Sequence, residues 1–342
     1  MKLRSIVVFF VSLLIFGGAY FVIDRFVDLS SQTLVEINPE DLGEGNIIDE
    51  FGDDLLFLLI GVDENEDAIG DAKNKHVRTD TMMLVNMNFE TGDIKIISIP
   101  RDTMVKYKGE SMKINGAHSH DGPTGALNAV RKLTGLDVDY YMSVNYKAVT
   151  DIVDTIGGVE VDSPVRIRPR GTEIVIPEGK STLDGEKALH FVRAREVLPT
   201  GSDLARVENQ QYFMKQLVDT VLQPSNILKI GKIFDVYKEN VTTNIDLSKF
   251  KISDMATIAS SFGKEKMETK TLPIAIPEGK SYVLPKKKEI ATLMANWFPD
   301  YILDKNQLDK YEDGNYSDDS DDSVSYNKNK SNNNKKSYNS NN

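Results

Sequence analysis

Six consecutive apolar residues, LLFLLI at 55–60, constrain this chain more than any other stretch. A strand shows alternate residues to opposite faces, so an unbroken apolar run of this length suits a central strand buried on both sides. Such a strand needs cover above and below, and the sequence that follows alternates in a way that supplies it. Residues 82–87 and 94–99 read as two more strands, and the NFETGD segment between them reads as the turn of a hairpin. Residues 125–133 look helical and 140–144 look like a strand. In 146–156, Val149, Ile152, Val153 and Ile156 fall on one helical face, and Gly157-Gly158 is a helix stop. Short strands are predicted at 159–161 and 172–176, with a short helix at 184–191. Residues 203–222 read as a long amphipathic helix stopped by Pro224. A helix near 253–262, a strand near 268–274 and a helix near 286–297 complete the pattern. Alternating strands and helices place the chain in the α/β class, with helices packed on a central sheet. The hairpin makes that sheet mixed.

The ends are different. Lys2 and Arg4 precede a continuous apolar run from 6 to 23, which as a helix would span about 27 Å, close to the hydrocarbon thickness of a bilayer. A cleaved signal peptide has a shorter apolar region and a small-residue cleavage site, which this sequence lacks. Residues 1–24 are therefore expected to form a cytoplasmic stub and one transmembrane helix. After Arg25 no Lys or Arg occurs until Lys73, so the positive flank is N-terminal and the remainder is expected outside the cell membrane. Residues 25–50 are polar and acidic and read as a spacer. Residues 51–308 form the expected catalytic domain. Residues 309–342, rich in Asp, Ser, Asn and Lys, hold too little apolar surface to offset the entropy of ordering and read as a disordered tail.

Of 342 residues none is cysteine, and the net charge is −11. Thiol nucleophiles, thiolate metal sites and disulfides are thereby excluded. The negative balance argues against nucleic acid as a partner, because such binding needs a basic face. Against that background the arginines are informative. Lysine is the usual cation, and no arginine follows Arg206. The arginines gather with aspartates in short segments: Gly61-Val62-Asp63, Arg78-Thr79-Asp80-Thr81, Pro100-Arg101-Asp102, Arg193-Ala194-Arg195, and Asp203 with Arg206 and Gln210. Guanidinium groups match phosphate oxygens in pairs and carboxylates hold a divalent metal, so this set suits a multiply charged phosphate. Asp63 should end the first strand, and Arg78 and Asp80 should begin the second. If the hairpin returns the third strand upward, Arg101 ends at the same edge, where open α/β sheets usually bind ligands. Asp203, Arg206 and Gln210 are spaced for one helical stripe. Each residue also has a plainer reading: Asp203 as a helix cap, Arg206 and Gln210 as a solvated face, Asp80 and Asp102 as turn residues.

Taken in order, LLIGVD, RTDTMMLV, SIPRDT, KINGAH, IGGVEVD, LDGEKALHFVRARE and DLARVENQQ resemble the LytR-CpsA-Psr family over about residues 55–211. The resemblance implies an α/β/α sandwich around a central mixed sheet, behind one N-terminal transmembrane helix, with a deep apolar pocket for a prenyl chain. It implies an extracytoplasmic, Mg²⁺-dependent phosphotransferase. Such enzymes move an anionic glycopolymer, of teichoic acid or capsule type, from polyprenyl pyrophosphate to peptidoglycan and leave it phosphodiester-linked to the muramic acid C6 hydroxyl. By the matching positions, Asp63 and Asp80 would serve the metal. Arg78, Arg101, Lys113, Arg193, Arg195, Arg206 and Gln210 would hold the pyrophosphate. Arg78, Asp80, Arg101, Arg193, Arg195, Asp203 and Arg206 would form the catalytic set, with Asp203 orienting an arginine or serving as a base. One departure stands out: the family's last motif usually has a second arginine directly before its two glutamines, where this chain has Asn209.

Phosphoryl transfer needs positioning and charge stabilisation more than a covalent nucleophile, so the residues and the resemblance agree. Other signals are weaker. His118-x-His120 lacks a third zinc ligand at convincing spacing. Asp63-x-Asn65-x-Asp67 opens like a calcium loop but has Ala68 and Asn74 where glycine and glutamate belong. Arg166, Arg168 and Arg170 read as a solvated basic loop. Two other functions remain open: hydrolysis of polyprenyl pyrophosphate, since the same charges would serve it, and a non-catalytic envelope regulator of attenuator type. The few cytoplasmic residues are too short for a DNA-binding module.

Overall fold

A computed structural model describes residues 51–63, 78–169, 171–195, 203–227, 229–245 and 262–308. The expected membrane helix, spacer and tail lie outside these residues, as does nearly all of the helix expected near 253–262. Among the described residues no helix is long and apolar enough to cross a membrane.

The apolar run sits within strand β1 (Asp54–Asp63), which lies between β2 (Arg78–Asn88) on one side and β6 (Tyr140–Val144) on the other. With β3 (Ile94–Ile99), β9 (Val241–Thr243) and β10 (Met267–Thr271) they form a six-stranded sheet of order β10-β3-β2-β1-β6-β9. β1 runs parallel to β6, and β3 parallel to β10. The β1–β2, β2–β3 and β6–β9 pairs are antiparallel, so the sheet is mixed. The turn joining β2 to β3 closes as its sequence predicts. Asn88 N–H donates to Asp93 O (2.9 Å), and the Asn88 side chain accepts from the N–H of Glu90 (3.1 Å) and Thr91 (2.7 Å).

Alternation along β1 divides the core in two. Leu55, Phe57 and Leu59 join one buried cluster; Leu56, Leu58, Ile60 and Val62 join the other. The first face is covered by α2 (Tyr146–Ile156), α3 (Gly185–Arg193), α4 (Asp203–Val221) and α5 (Ile230–Asn240), through residues such as Ile152, Phe191, Leu217 and Ile233. The second is covered by α1 (Ile114–Thr134) and α6 (Lys287–Trp297), through Ala117, Val130, Ile290 and Met294. This is the α/β/α arrangement. Burial of each large aliphatic or aromatic side chain contributes roughly 1.5–3 kcal/mol, so the apolar run within β1 anchors both layers.

Local signals fix the ends of these elements. Asn145 caps α2 by accepting from Ala148 N–H (3.1 Å), and Gly157 closes it in the left-handed region at φ 88°. Asp184 caps α3 by accepting from Lys187 N–H (2.8 Å). α1 is longer than the expected 125–133 and kinks at Asp121 and Gly122, directly before Pro123. Three expectations need correction. Residues 172–176 make only an isolated bridge, Ile176 to Ile167. The partner of β7 (Val159–Ser163) is instead β8 (Gly179–Leu183), a mostly polar stretch. The stretch expected as one strand near 268–274 is β10 followed by a separate two-residue strand, Ile274–Ala275. And α4, which buries its apolar face through Phe213, Met214, Leu217 and Val218 as an amphipathic helix should, also buries Arg206, Asn209 and Gln210, so its first half has no solvated face at those positions.

Candidate anion site at the sheet edge

The strand directions bring the motif residues to one edge. Asp63 is the last residue of β1 and is the direct cross-strand partner of Arg78, the first of β2. The ladder shifts just before this pair. Gly61 opposes Thr81 and Val62 opposes Thr79, so Asp80 is the extra residue of a β-bulge. Bulges of this kind commonly re-aim side chains beside active sites. The side chains of Asp63, Arg78, Asp80 and Asp203 lie outside the described residues, and their positions here are those of the backbone. Thr79 and Thr81, which flank the bulge, are buried, and their hydroxyls have no hydrogen-bond partner among the described residues.

β3 ends at the same edge, and Arg101 follows it in a turn. Thr103 closes this turn by donating both its N–H (3.0 Å) and its hydroxyl (2.7 Å) to Pro100 O. Short strands β4 (Met104–Tyr107) and β5 (Glu110–Lys113) form a hairpin that returns the chain to this turn. Lys113 Nζ lies 2.8 Å from Asp102 Oδ1, and Arg101 Nε lies 3.7 Å from Asp102 Oδ2. Asp102 thus holds two cations side by side while all three side chains stay partly open to solvent. By sequence Asp102 belongs either to the clustered arginines and aspartates or to a simple turn. The missing signal was the hairpin, which brings Lys113 back to it.

β6 runs parallel to β1, so its carboxyl end and the start of α2 share this edge. Arg193, in the last turn of α3, lies over the ring of Tyr146, the first residue of α2, at 5.7 Å. Tyr146 carried no signal in the sequence. Arg193 belongs to the helix rather than following it, and the extended Ala194 (ψ 137°) separates it from the exposed Arg195. Arg206 on α4 is 1% exposed, the largest of the fully buried side chains. Gln210 is 2% exposed, so the solvated-face reading fails for both. Gln210 Nε2 donates to Val192 O (3.4 Å), and Asn209 Nδ2 donates to Phe191 O. Gln211 Nε2 reaches the other way, to Ser98 Oγ (2.8 Å) on β3 and Lys270 O (3.3 Å) on β10.

One edge therefore gathers residues from β1, β2, the β3 turn, β5, α3 and α4. A multiply charged anion with its counter-ion suits such a set, because arginines clamp phosphate oxygens and carboxylates orient both arginines and a metal. A cleft lies elsewhere, at the opposite end of β1. It is lined by Asp54, Asp137, Asp139 and Tyr301, among others. Asp54 begins β1, about 30 Å along the strand from Asp63. There Tyr301 O–H donates to Asp54 Oδ1 (3.0 Å), and burial, followed by the Asp54 charge, pushes the phenol up.

The sequence profile of the LytR_cpsA_psr family matches residues 28–297. A polyisoprenyl-teichoic acid–peptidoglycan teichoic acid transferase, TagU of Oceanobacillus iheyensis, is 32% identical over 248 residues, 69% of this chain and 74% of the relative. Among solved structures, a Streptococcus agalactiae protein superposes with TM-score 0.64 at 26% identity, covering 78% of this chain and 91% of its own. TagV of Bacillus subtilis superposes with TM-score 0.57 at 26% identity, covering 71% and 96%.

Proposed function

The chain belongs to the LytR-CpsA-Psr family, and on that premise we propose that it is an extracytoplasmic phosphotransferase acting on a lipid-linked polymer. It moves an anionic glycopolymer of teichoic acid or capsule type from polyprenyl pyrophosphate to peptidoglycan. The observation that carries this reading is the register at the sheet edge. Asp63 opposes Arg78 and Asp80 sits in the bulge, at the edge where the Arg101–Asp102–Lys113 group and Arg193 also lie. The apolar run at residues 6–23, read from sequence as a membrane anchor, would hold the domain at the outer leaflet, where a prenyl-linked donor resides.

In the reaction, an acceptor hydroxyl oxygen on peptidoglycan bonds to the polymer-side phosphorus. The bond from that phosphorus to the bridging oxygen breaks, prenyl monophosphate departs with the electron pair, and the hydroxyl proton is released. The product is a phosphodiester. Arg101, Lys113 and Arg193 hold the diphosphate and neutralise charge that grows on the leaving phosphate. Asp102 keeps Arg101 and Lys113 side by side, so their charges are set before substrate arrives. Asp63 and Asp80 fit Mg²⁺, which draws on one or two carboxylates and takes its other ligands from phosphate and water. Bound there, the ion would offset the negative charge of the phosphate oxygens. Buried Arg206 adds a cation that cannot shed its proton.

The test supplies labelled lipid-linked donor together with peptidoglycan oligosaccharide to the membrane-anchored chain. Conjugate is the expected product. Free phosphate without conjugate makes the protein a hydrolase instead, and full activity in Arg78→Ala and Asp80→Ala variants removes the sheet edge from the chemistry.

A further inference from the structure

We propose that Asn209 and Gln211 are positioning residues: together they make α4 a clamp that sets the spacing between the two arginine-bearing arms of the anion site. This rests on the transferase reading. Consecutive helical residues point about 100° apart, so Asn209, Gln210 and Gln211 fan over more than half of the helix circumference. In a surface helix part of that fan would meet water. Here Asn209 and Gln210 are buried, and all three amides donate to protein oxygens on two different arms.

The first arm is the last turn of α3. Its carbonyls would be orphaned at the helix end. Phe191 O accepts from Ala194 N–H (3.1 Å) and from Asn209, and Val192 O accepts from Gln210 (3.4 Å). Arg193 is the next residue. The angle at which the chain leaves α3, and hence the placement of Arg193 over Tyr146 and of Arg195 beyond it, depends on how that turn is held. The second arm is the end of β3. Gln211 donates to Ser98 Oγ (2.8 Å), three residues before Arg101, and to Lys270 O (3.3 Å) on the neighbouring strand. Leu272 N–H donates to Ser98 O (2.9 Å), so the same short segment is braced from two sides. One rigid stretch of α4 therefore fixes Arg193 relative to Arg101, and neither Asn209 nor Gln211 needs to touch the anion. A displacement near 1 Å in such a constellation can cost about a hundredfold in rate.

The experiment compares Asn209→Leu, Gln211→Met and Tyr212→Phe in the full-length, membrane-anchored chain. Tyr212 is the control: it also lies on α4 and its hydroxyl accepts a hydrogen bond, from Asp162 N–H (2.8 Å), but on the side of β7. Three quantities are read: conjugate formation, affinity for geranyl pyrophosphate as the probe, and thermal midpoint. Asn209→Leu and Gln211→Met are each expected to lower kcat by about tenfold to a hundredfold with KM changed little, whereas Tyr212→Phe lowers the midpoint comparably and leaves kcat intact. Unchanged turnover in both clamp variants overturns the proposal, as does a loss that only tracks the thermal midpoint as in Tyr212→Phe. If either clamp variant fails to fold, the other decides by the same criterion. An unaltered chain that makes no conjugate and binds no probe overturns the anion site itself, and the clamp with it.

Discussion

Arg206 shows what a single residue can demand of a fold. The residue is 1% exposed and its guanidinium stays charged at any accessible pH, so its burial calls for compensating acceptors or negative charge around it. Arg206→Met keeps the length and removes the charge. Conjugate formation should fall by about a thousandfold or more, in line with the loss of an arginine from phosphoryl-transfer sites. Thr81 makes the opposite case. Its hydroxyl is buried beside the bulge with no partner among the described residues. Thr81→Val keeps the shape and removes an unsatisfied polar group, so it should stabilise the fold by about 1 kcal/mol in urea unfolding.

Between elements, contacts of one or two residues set the geometry. Gly185 begins α3 against α2, and its N–H donates to Asp154 Oδ1 (2.7 Å). A Cβ there would lie 2.4 Å from Thr150 O and 2.8 Å from Asp154 Oδ2, so the two helices would have to part. Gly185→Ala should cost about 1–3 kcal/mol in denaturant titration. The kink of α1 is tied to the β4–β5 hairpin by Asp121, which accepts from Tyr107 O–H (2.5 Å) and meets Lys108 Nζ at 2.6 Å. The bond from Lys108, then that from Tyr107, holds the Asp121 carboxyl below the ordinary carboxylate range. A carboxyl depressed in the folded state contributes stability above its unfolded pKa and loses it as pH falls through the folded value. Asp121→Asn should therefore be less stable than the unaltered chain at pH 7. The gap should close below about pH 4, as read from urea midpoints across that range.

At the scale of the whole molecule, a chain of net charge −11 brings Arg78, Arg101 and Arg193 to one sheet edge, which the proposed function assigns to an anionic donor. The register sets Asp63 and Asp80 at that edge, and the proposed reaction assigns them a divalent cation. Chelation with EDTA should abolish conjugate formation and added Mg²⁺ should restore it, whereas in Arg78→Ala the added ion should restore nothing. Activity that survives exhaustive chelation would remove the metal from the reaction.

Much of this fold is written in neighbouring residues. The LLFLLI run, the Asn-to-Asp turn after β2, the Val149–Ile152–Val153–Ile156 stripe and the Gly157-Gly158 stop all act within a few positions of themselves, so their periodicity and backbone preferences can be read without knowing the chain path. The shared edge for Asp63, Arg78, Asp80 and Arg101 followed from strand direction and one hairpin. What tertiary structure alone decided are the pairings between distant segments. Polar β8 is a strand because β7 offers it a ladder, while 172–176, richer in β-branched residues, finds only a bridge. Asp102 matters because a hairpin returns Lys113 to it, and Tyr146 because α3 ends above it. Asn209 could be seen as a departure from a motif, but its role could not, because an amide's hydrogen-bond partner is fixed by which carbonyl the fold brings within reach. For Asn209 that carbonyl belongs to Phe191, eighteen residues away.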